Sequence, residues 1–315
     1  MSGPRVPRAT AFAPASVGNV GVGFDILGFA VDVLGDHVVA RATDAPGVSI
    51  SAIRGVVGDL PLDAAQNTAG RAVQALLAAA PQPFGIALEI EKGIPLGSGL
   101  GGSAASAVGA VVAANGLLQK PFEQLDLLKF AMQGEAVASG SLHVDNIAPS
   151  LYGGLVLTVG VDNPRVKKIP PPRGVRAVVV HPHLYVATRD ARSVLSRTID
   201  MSDFVWQTAN LAGFISGCFT DDLDMIRDSF EDVIIEKQRR SMIPGFADVR
   251  GAAMAQGALG CSISGAGPSI FAWTLAEAAE GVLAAMKAQF AARQIEVDGW
   301  IVDIDSAGAR LLPEA

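Results

Sequence analysis

A run of glycines and serines between residues 93 and 106 is the segment of this sequence best suited to chemistry. It includes Pro95-Leu96-Gly97-Ser98-Gly99-Leu100-Gly101-Gly102-Ser103, with a strand-like alternation before it and small helix-forming residues after it. Glycines permit positive φ, so successive N–H groups can point into one cavity, and a helix N-terminus adds partial positive charge. The segment therefore predicts a phosphate-binding loop. A tight strand-to-helix turn without a ligand is the alternative.

Two common phosphate-binding fingerprints fit this loop poorly. No Gly-Lys dipeptide occurs in the chain, which excludes a P-loop ATPase. Gly97, Gly99 and Gly102 match the dinucleotide pattern G-x-G-x-x-G. That pattern needs an acidic residue at the end of the next strand, about 20 residues on, where this chain has a polar segment at 120–124. A dinucleotide oxidoreductase is therefore the weaker interpretation.

Two further glycine clusters contain polar residues. The first is Val17-Gly18-Asn19-Val20-Gly21-Val22-Gly23-Phe24-Asp25, and the second is Ser264-Gly265-Ala266-Gly267-Pro268-Ser269. Taken singly, the first is explained by turn capping through its Asn and Asp side chains, and the second by a hairpin. Their functional interpretation depends on the three clusters occurring together.

Together, the three clusters resemble the GHMP kinase superfamily of small-molecule kinases. Residues 95–105 are similar to its P-x-x-x-G-L-G-S-S-A-A loop, and residues 264–269 to its C-terminal signature. Within the superfamily the homoserine kinase family is most similar, through segments 14–25, 142–149, 188–192 and 236–246. Four positions depart from the pattern: Gly102 replaces a serine, Val17-Gly18 replaces Ser-Ala, and Val144 replaces alanine. The resemblance implies transfer of the ATP γ-phosphate to the side-chain hydroxyl of L-homoserine.

The resemblance also implies a nucleotide site built on the central loop. Ser103 and Glu135 are expected to bind Mg²⁺. Asn67 precedes a predicted helix, which it can also cap. The residues expected to bind ATP are Asn67, Pro95, Gly97, Ser98, Gly99, Leu100, Gly101, Gly102, Ser103, Ala104, Gly265 and Gly267.

L-Homoserine is a zwitterion, so its site should offer both signs of charge. Arginine binds a carboxylate bidentately, which lysine cannot do, and Arg192 and Arg239 are the candidates. Asp25 is the candidate partner of the ammonium group, with Asn19 and His143 in the same expected substrate site.

The catalytic residues expected from the resemblance are Asn146, Asp145, Arg239 and Thr188. Thr188 would position the reacting hydroxyl. The general base stays open at this point, because an amide such as Asn146 cannot accept a proton. Asp145 could be the base or could anchor its loop, and the γ-phosphate itself could take the proton.

The predicted elements mix helices and strands in both halves of the chain, which indicates an α+β protein. Ile169-Pro170-Pro171-Pro172-Arg173 is the best linker, so we predict domains at 1–170 and 171–315. The resemblance implies a two-domain GHMP kinase fold, with a ribosomal-protein-like N-terminal domain and a ferredoxin-like C-terminal domain. Predicted strands lie at 29–42, 48–53, 84–91, 151–161, 175–180, 260–264, 269–273 and 296–304, and predicted helices at 71–80, 101–118, 122–137, 204–219, 223–235, 245–256 and 276–293.

Composition limits the class of protein further. With 35 glycines, 50% hydrophobic residues and only 17% charged residues in 315, the chain is unsuited to disorder. A net charge of −7 argues against a nucleic-acid partner. The uncharged stretch 93–119 is long enough to span a bilayer but too rich in glycine, so we expect a buried helix, no membrane partner and a cytoplasmic protein. A homodimer is expected from the resemblance alone.

Two other functions compete with this interpretation. One is another GHMP kinase, acting on a mevalonate-type alcohol or a sugar. A mevalonate-type enzyme is expected to have a lysine near residue 10 and an aspartate at 146, where this chain has Thr10 and Asn146. The other is a non-catalytic nucleotide-binding regulator on the same fold. The presence of Ser103, Glu135, Asn146 and Arg239 disfavours the regulator.

Overall fold

The computed structural model describes residues 3–80, 82–139 and 144–313. His143, one of the expected substrate ligands, lies outside the described residues. The described chain forms two β-sheets with helices packed on them, and the site is built where loops from both sheets meet.

The first sheet contains seven strands in the described chain: β1 (Arg8–Gly18), β2 (Leu27–Thr43), β3 (Val48–Gly55), β4 (Gly85–Lys92), β5 (Leu155–Val159), β6 (Arg165–Ile169) and β11 (Arg310–Leu311). Five of them run in the order β11-β1-β2-β4-β3, while β5 pairs with both β2 and β6. β3 and β4 are parallel and are joined by helix α1 (Thr68–Ala79). The sequence did not predict β1, because its alanines and Pro14 are poor strand signals; burial on both faces explains why they fit there.

Helix α2 (Gly102–Gly116) is the buried centre of this half and accounts for the long uncharged stretch. All its residues except Gly102, Ser103 and Asn115 are buried, so small side chains allow neighbouring elements to approach on every side. α3 (Gln124–Ser139) and α4 (Ile147–Tyr152) pack beside it. The prediction of a buried helix is therefore confirmed, and none of the helices in the described ranges is long and apolar enough to cross a membrane.

The second sheet has the order β10-β7-β9-β8, formed by β7 (Val175–Pro182), β8 (Gly260–Ile263), β9 (Ile270–Leu275) and β10 (Val297–Asp303). The helices of this half are α5 (Thr188–Ser193), α6 (Met201–Thr220), α7 (Leu223–Asp228), α8 (Ile235–Arg239), α9 (Phe246–Ala255) and α10 (Ala279–Ala291). α9 and α10 enclose a core with this sheet that includes Val180, Val249 and Phe290.

Two predicted elements were wrong in extent. The helix predicted over 223–235 is interrupted, because Asp232 accepts hydrogen bonds from the N–H groups of Ile234 and Ile235 and so starts a new helix. The strand predicted over 151–161 begins only at Leu155, because α4 continues to Tyr152 before the Gly153-Gly154 turn.

The two halves share a hydrophobic core and a strand. Phe29 on β2 packs edge-to-face against Phe271 and Trp273 on β9, with ring centroids 5.6 and 6.2 Å apart. The C-terminal strand β11 returns to pair with β1, and the Arg310 guanidinium lies 4.8 Å from the Phe12 ring centroid. The domain division after residue 170 stays a prediction; the sheets change at that linker, but β11 belongs to the first sheet.

Candidate active site

A cavity of about 450 Å³ lies between the two halves and is lined by residues from both. One part of its wall is apolar and comes from β3, β4 and the segment between β3 and α1; it includes Ile53, Val57, Leu60 and Ile90. Another part has ionisable side chains; these are Asp25, Asp145, Arg192 and Arg239. The glycine-rich segment 95–103, here called the phosphate loop, also lines the cavity.

The phosphate loop needs glycine for reasons of conformation and of space. Gly99 and Gly101 have φ of +76° and +67°. A Cβ on Gly99 would lie 2.6 Å from the Ser264 carbonyl oxygen, and one on Gly101 would lie 2.3 Å from the Ser16 hydroxyl. Gly101 is also the N-cap of α2, so the loop leads directly into a helix N-terminus. This geometry suits an anion held by backbone N–H groups.

The second glycine signature braces the phosphate loop. The Ser264 hydroxyl donates to the Gly99 carbonyl at 2.7 Å, and the Ser269 N–H donates to the Ser98 carbonyl at 3.2 Å. From the chain before α5, the Val186 N–H donates to the Gly97 carbonyl at 3.1 Å. The loop's shape is therefore fixed by the other half of the molecule.

The two expected metal ligands lie within hydrogen-bonding distance of each other. The Ser103 hydroxyl, in the first turn of α2, donates to a Glu135 carboxylate oxygen on α3 at 2.8 Å. Glu135 is buried, and both residues line the cavity. A hydroxyl and a carboxylate are the oxygen donors that Mg²⁺ prefers, so the residues fit this ion.

Asn67 combines a place in the cavity wall with a structural role. Its side-chain oxygen accepts the Ala69 N–H at 3.0 Å and caps α1, as the sequence predicted. Its amide nitrogen donates to the Pro61 carbonyl at 3.0 Å, which fixes the apolar segment next to it. Asn67 therefore holds both the start of α1 and the apolar segment before it, and both border the expected nucleotide site.

Asp25 and Arg192, predicted to bind opposite ends of the substrate, bind each other here. The Arg192 guanidinium donates to both Asp25 oxygens, at 2.7 and 2.9 Å. Both side chains are about one-third exposed, so the pair is accessible from the cavity. Arg192 also lies 5.1 Å from the Phe24 ring centroid. The site thus offers a carboxylate and a guanidinium at one location.

Arg239 is a deeply buried arginine in the same wall. Its Nε donates to the Ala191 carbonyl at 2.9 Å and its Nη1 to the Gly265 carbonyl at 3.1 Å. Burial and the nearby Arg192 lower the pKa of Arg239, while Asp25, Asp145 and Asp232 oppose the shift. Its neighbour Arg240 is exposed and does not line the cavity.

Asn19 connects the first glycine cluster to the other site segments. Its N–H donates to Asp145 at 3.2 Å, its side-chain nitrogen to the Gly265 carbonyl at 2.9 Å, and its side-chain oxygen accepts the Asp25 N–H at 3.1 Å. The neighbouring Asn146 accepts a hydrogen bond from the Ser16 hydroxyl at 3.0 Å. Asp145 is thus hydrogen-bonded to the first cluster.

Most of the sequence-predicted residues line this one cavity, including Thr188 at the start of α5. Leu100, Ala104 and Gly267 do not line it. The side chains of Leu100 and Ala104 are buried in the core, and the Leu100 N–H donates to the Ser98 hydroxyl. These two residues therefore support the conformation of the loop and do not line the cavity.

Sequence reasoning missed several lining residues, because the motif resemblance assigns them no role. They are the apolar Ile53, Val57, Leu60 and Ile90, and Lys92, Ser106, Tyr185 and Arg189. Phe24 was also given no role; its ring lies 5.1 Å from the guanidinium carbons of Arg192 and Arg239, although it does not line the cavity itself. Lys92 carried one usable signal, since it is the last charge before the long uncharged stretch.

Comparison with known proteins agrees with this geometry. Family models described as GHMP kinases N terminal domain and GHMP kinases C terminal match residues 67–154 and 214–292. A homoserine kinase of Xanthomonas campestris pv. campestris (strain B100) is 50% identical over 97% of this chain and 94% of that protein. One from Chlorobaculum tepidum is 41% identical over 96% of this chain and 98% of that protein.

Solved structures give the same result. The crystal structure of homoserine kinase from Cytophaga hutchinsonii superposes with a TM-score of 0.94 at 46% identity, covering 98% of both chains. Mevalonate kinase of L. major, with a TM-score of 0.68 and 16% identity over 98% of this chain and 100% of that one, shares the fold. The chain therefore belongs to the GHMP kinases, in the homoserine kinase family.

Proposed function

We propose that this protein transfers the γ-phosphate of ATP to the side-chain hydroxyl of L-homoserine, forming O-phospho-L-homoserine in threonine biosynthesis. The observation that carries the proposal is the Asp25–Arg192 pair, which opens onto the same cavity as the phosphate loop. A zwitterionic acceptor needs one group of each sign, and a sugar or a mevalonate-type alcohol does not. Membership of the GHMP kinases supports an ATP-dependent kinase acting on a hydroxyl.

The nucleotide would use two features of the cavity. The triphosphate would lie on the phosphate loop at the N-terminus of α2, where N–H groups and the helix dipole favour negative charge. The base would contact the apolar wall of Ile53, Val57 and Leu60, because a flat heteroaromatic ring gains from burial there. Asn67 keeps this wall in place through its bond to Pro61.

Ser103 and Glu135 would hold Mg²⁺ together with the nucleotide. A bound Mg²⁺ would offset negative charge on the phosphate oxygens. Ser103 lies in the first turn of α2, and Glu135 on α3 is hydrogen-bonded to it, so both oxygen donors would lie beside the phosphates, which supports their assignment. The Ser103 hydroxyl donates to one Glu135 carboxylate oxygen, so the two proposed ligands lie side by side.

The acceptor would exchange one ion pair for two. The substrate ammonium would bind Asp25 and its carboxylate Arg192, so neither protein charge is left unpaired when the bridge opens. Arg239 would add positive charge beside the carboxylate, and Thr188 would orient the hydroxyl from the start of α5.

Phosphoryl transfer depends on positioning and charge neutralisation more than on a strong base. Asp145 already accepts the Asn19 N–H, so we assign it to anchoring. Asn146 would orient the hydroxyl, and the proton would pass to the transferred phosphate.

We also propose a homodimer. Helix α6 and the residue before its cap expose several large apolar side chains: Ile199, Met201, Phe204, Val205 and Trp206. An exposed patch of this kind favours a protein interface. Sedimentation equilibrium should give twice the chain mass, and Trp206→Glu should shift it towards the monomer; a monomeric wild type would contradict the proposal.

The decisive experiment is a coupled assay of ADP release with homoserine, mevalonate, galactose, serine and threonine as acceptors. We expect turnover with homoserine and little with the others. At a homoserine concentration below the wild-type KM, an Asp25→Asn preparation made in the same way should lose most of this turnover, which excludes a contaminating kinase. Turnover with mevalonate or galactose instead would identify another GHMP kinase, and no turnover with any acceptor would favour a non-catalytic regulator.

A further inference from the structure

Three polar side chains form a buried cluster beneath the phosphate loop: Asp36 on β2, Lys92 at the end of β4 and Ser106 on α2. Asp36 is fully buried, and Lys92 and Ser106 are each 5% exposed. We propose that this buried triad positions the first turn of α2 for the phosphates of the nucleotide. The inference rests on the proposed ATP-dependent function and assigns a role to residues outside the glycine motifs.

All three donor hydrogens of the Lys92 ammonium have acceptors within the protein. Its ammonium donates to the Gly102 carbonyl at 2.6 Å, to the Ser106 hydroxyl at 2.7 Å and to an Asp36 carboxylate oxygen. A lysine ammonium has three donor hydrogens, and each has an acceptor here. Lys92 therefore fixes the main chain at the start of α2 rather than serving as a direct ligand of the phosphate.

Asp36 connects three elements. One carboxylate oxygen accepts the Gly93 N–H at 3.0 Å, and the other accepts the Ser106 hydroxyl at 2.6 Å as well as Lys92. Just before Asp36, β2 loops out of register with β1 opposite the Pro14-Ala15 step. Bulges of this kind re-aim side chains near functional sites. The triad thus joins β2, the loop start and α2 in a fully bonded network.

The energetics indicate a functional reason for this cluster. A buried ion pair is costly to desolvate, and apolar residues of similar volume often stabilise a fold at least as well. A cation near a helix N-terminus also opposes the helix dipole. Lys92 and Ser106 line the cavity, whereas Asp36 lies behind them, so the positive side of the pair faces the place proposed for the phosphates. Such a preorganised dipole favours an anion.

The test compares ATP with adenosine by calorimetric titration of the full-length protein in the presence of Mg²⁺. Ser106→Ala removes one link of the triad and should weaken ATP binding about tenfold, the size expected for a hydrogen bond to a charged group. Adenosine lacks phosphates, so its Kd should stay within about twofold. Ser306→Ala is the matched control: its hydroxyl is also buried and donates to a carbonyl, that of Ala30 at 3.0 Å, but it lies outside the cavity.

Three outcomes would overturn the proposal: unchanged ATP affinity in Ser106→Ala, an equal loss of adenosine affinity, or an equal effect of Ser306→Ala. Lys92→Met should produce a larger phosphate-specific loss; if it does not fold, Ser106→Ala still decides the matter. Because titration needs no acceptor, the two proposals can fail separately. A wild type that binds ATP but does not phosphorylate homoserine would contradict the proposed function and leave the triad's role intact.

Discussion

The phosphate loop and the Asp25–Arg192 region would bind their proposed ligands in opposite ways. The loop is a contiguous stretch whose chemistry lies in its backbone, with Gly99 and Gly101 at positive φ and the helix N-terminus behind them. The other region is made of charged side chains from positions 167 residues apart in the chain. A backbone site should therefore tolerate the loss of a side chain but not the gain of a methyl group. A side-chain site should tolerate an added methyl group better than the loss of a charged side chain.

The largest effect is expected from Gly99→Ala. The added Cβ would lie 2.6 Å from the Ser264 carbonyl oxygen and 2.7 Å from that of Gly267, at φ +76°. Either the loop or its brace must move, so kcat/KM for ATP should fall by about 1000-fold or more. Gly174→Ala is the control, because φ is +72° there and no atom lies within 4 Å. Steady-state kinetics and circular dichroism check both variants; equal losses would mean that φ alone matters.

Asp25→Asn tests the side-chain region. It keeps the shape but leaves the Arg192 guanidinium without its carboxylate and removes the partner for the substrate ammonium. We expect KM for homoserine to rise about 100-fold, with KM for ATP changed less than about twofold. Glu89→Gln, in an exposed pair with Arg41, is the control. A parallel rise in both KM values would place Asp25 outside the acceptor site.

The same contrast explains what the sequence predicted. Local patterns found the phosphate loop, the capping role of Asn67 and the buried α2, because each depends on neighbours in the chain. Segment resemblance selected Asp25 and Arg192 for the substrate site, which stays a prediction, but it did not predict their mutual ion pair, because that pair depends on tertiary structure. Lys92 was missed because its one local signal, a place just before the long uncharged stretch, does not show that a strand-end lysine turns inward.

Arg239→Lys should give an intermediate effect. Lysine keeps the charge but cannot reach the Ala191 and Gly265 carbonyls together as the guanidinium does. KM for homoserine should rise about tenfold, while KM for ATP changes by less. Arg240→Lys, an exposed neighbour, should leave both constants unchanged. Equal changes in the two constants for Arg239→Lys would assign this residue to general scaffolding.

Ser103→Ala examines the one side chain of the phosphate loop assigned to metal. It is one of the two side chains proposed to bind Mg²⁺, so the Mg²⁺ concentration for half-maximal rate should rise about fivefold and kcat should fall. Affinity for metal-free ATP, measured by titration with chelator present, should change little. An unaltered Mg²⁺ requirement would remove Ser103 from the metal site.

The smallest expected effect concerns His181, which links the second sheet to the phosphate loop through Ser269. Its Nδ1 lies 3.1 Å from the Ser269 hydroxyl, and the Ser269 N–H holds the Ser98 carbonyl. Burial, together with the nearby His183, lowers the pKa of His181 to about 4. In the unfolded chain the pKa of this histidine is about 6.5, so the unfolded state binds the proton first as the pH falls. The free energy of unfolding therefore decreases as the pH falls from 6.5 to 4, and His181 causes no further decrease below pH 4.

His181→Asn keeps a polar group facing Ser269 but does not titrate. Urea denaturation at several pH values should therefore show a shallower loss of stability between pH 6.5 and 4 in this variant than in the wild type. His183→Asn is the control, because the exposed His183 has its pKa raised by its bond to Asp298 and so works in the opposite direction. Identical slopes for wild type and His181→Asn would show that the brace of the phosphate loop does not respond to this proton.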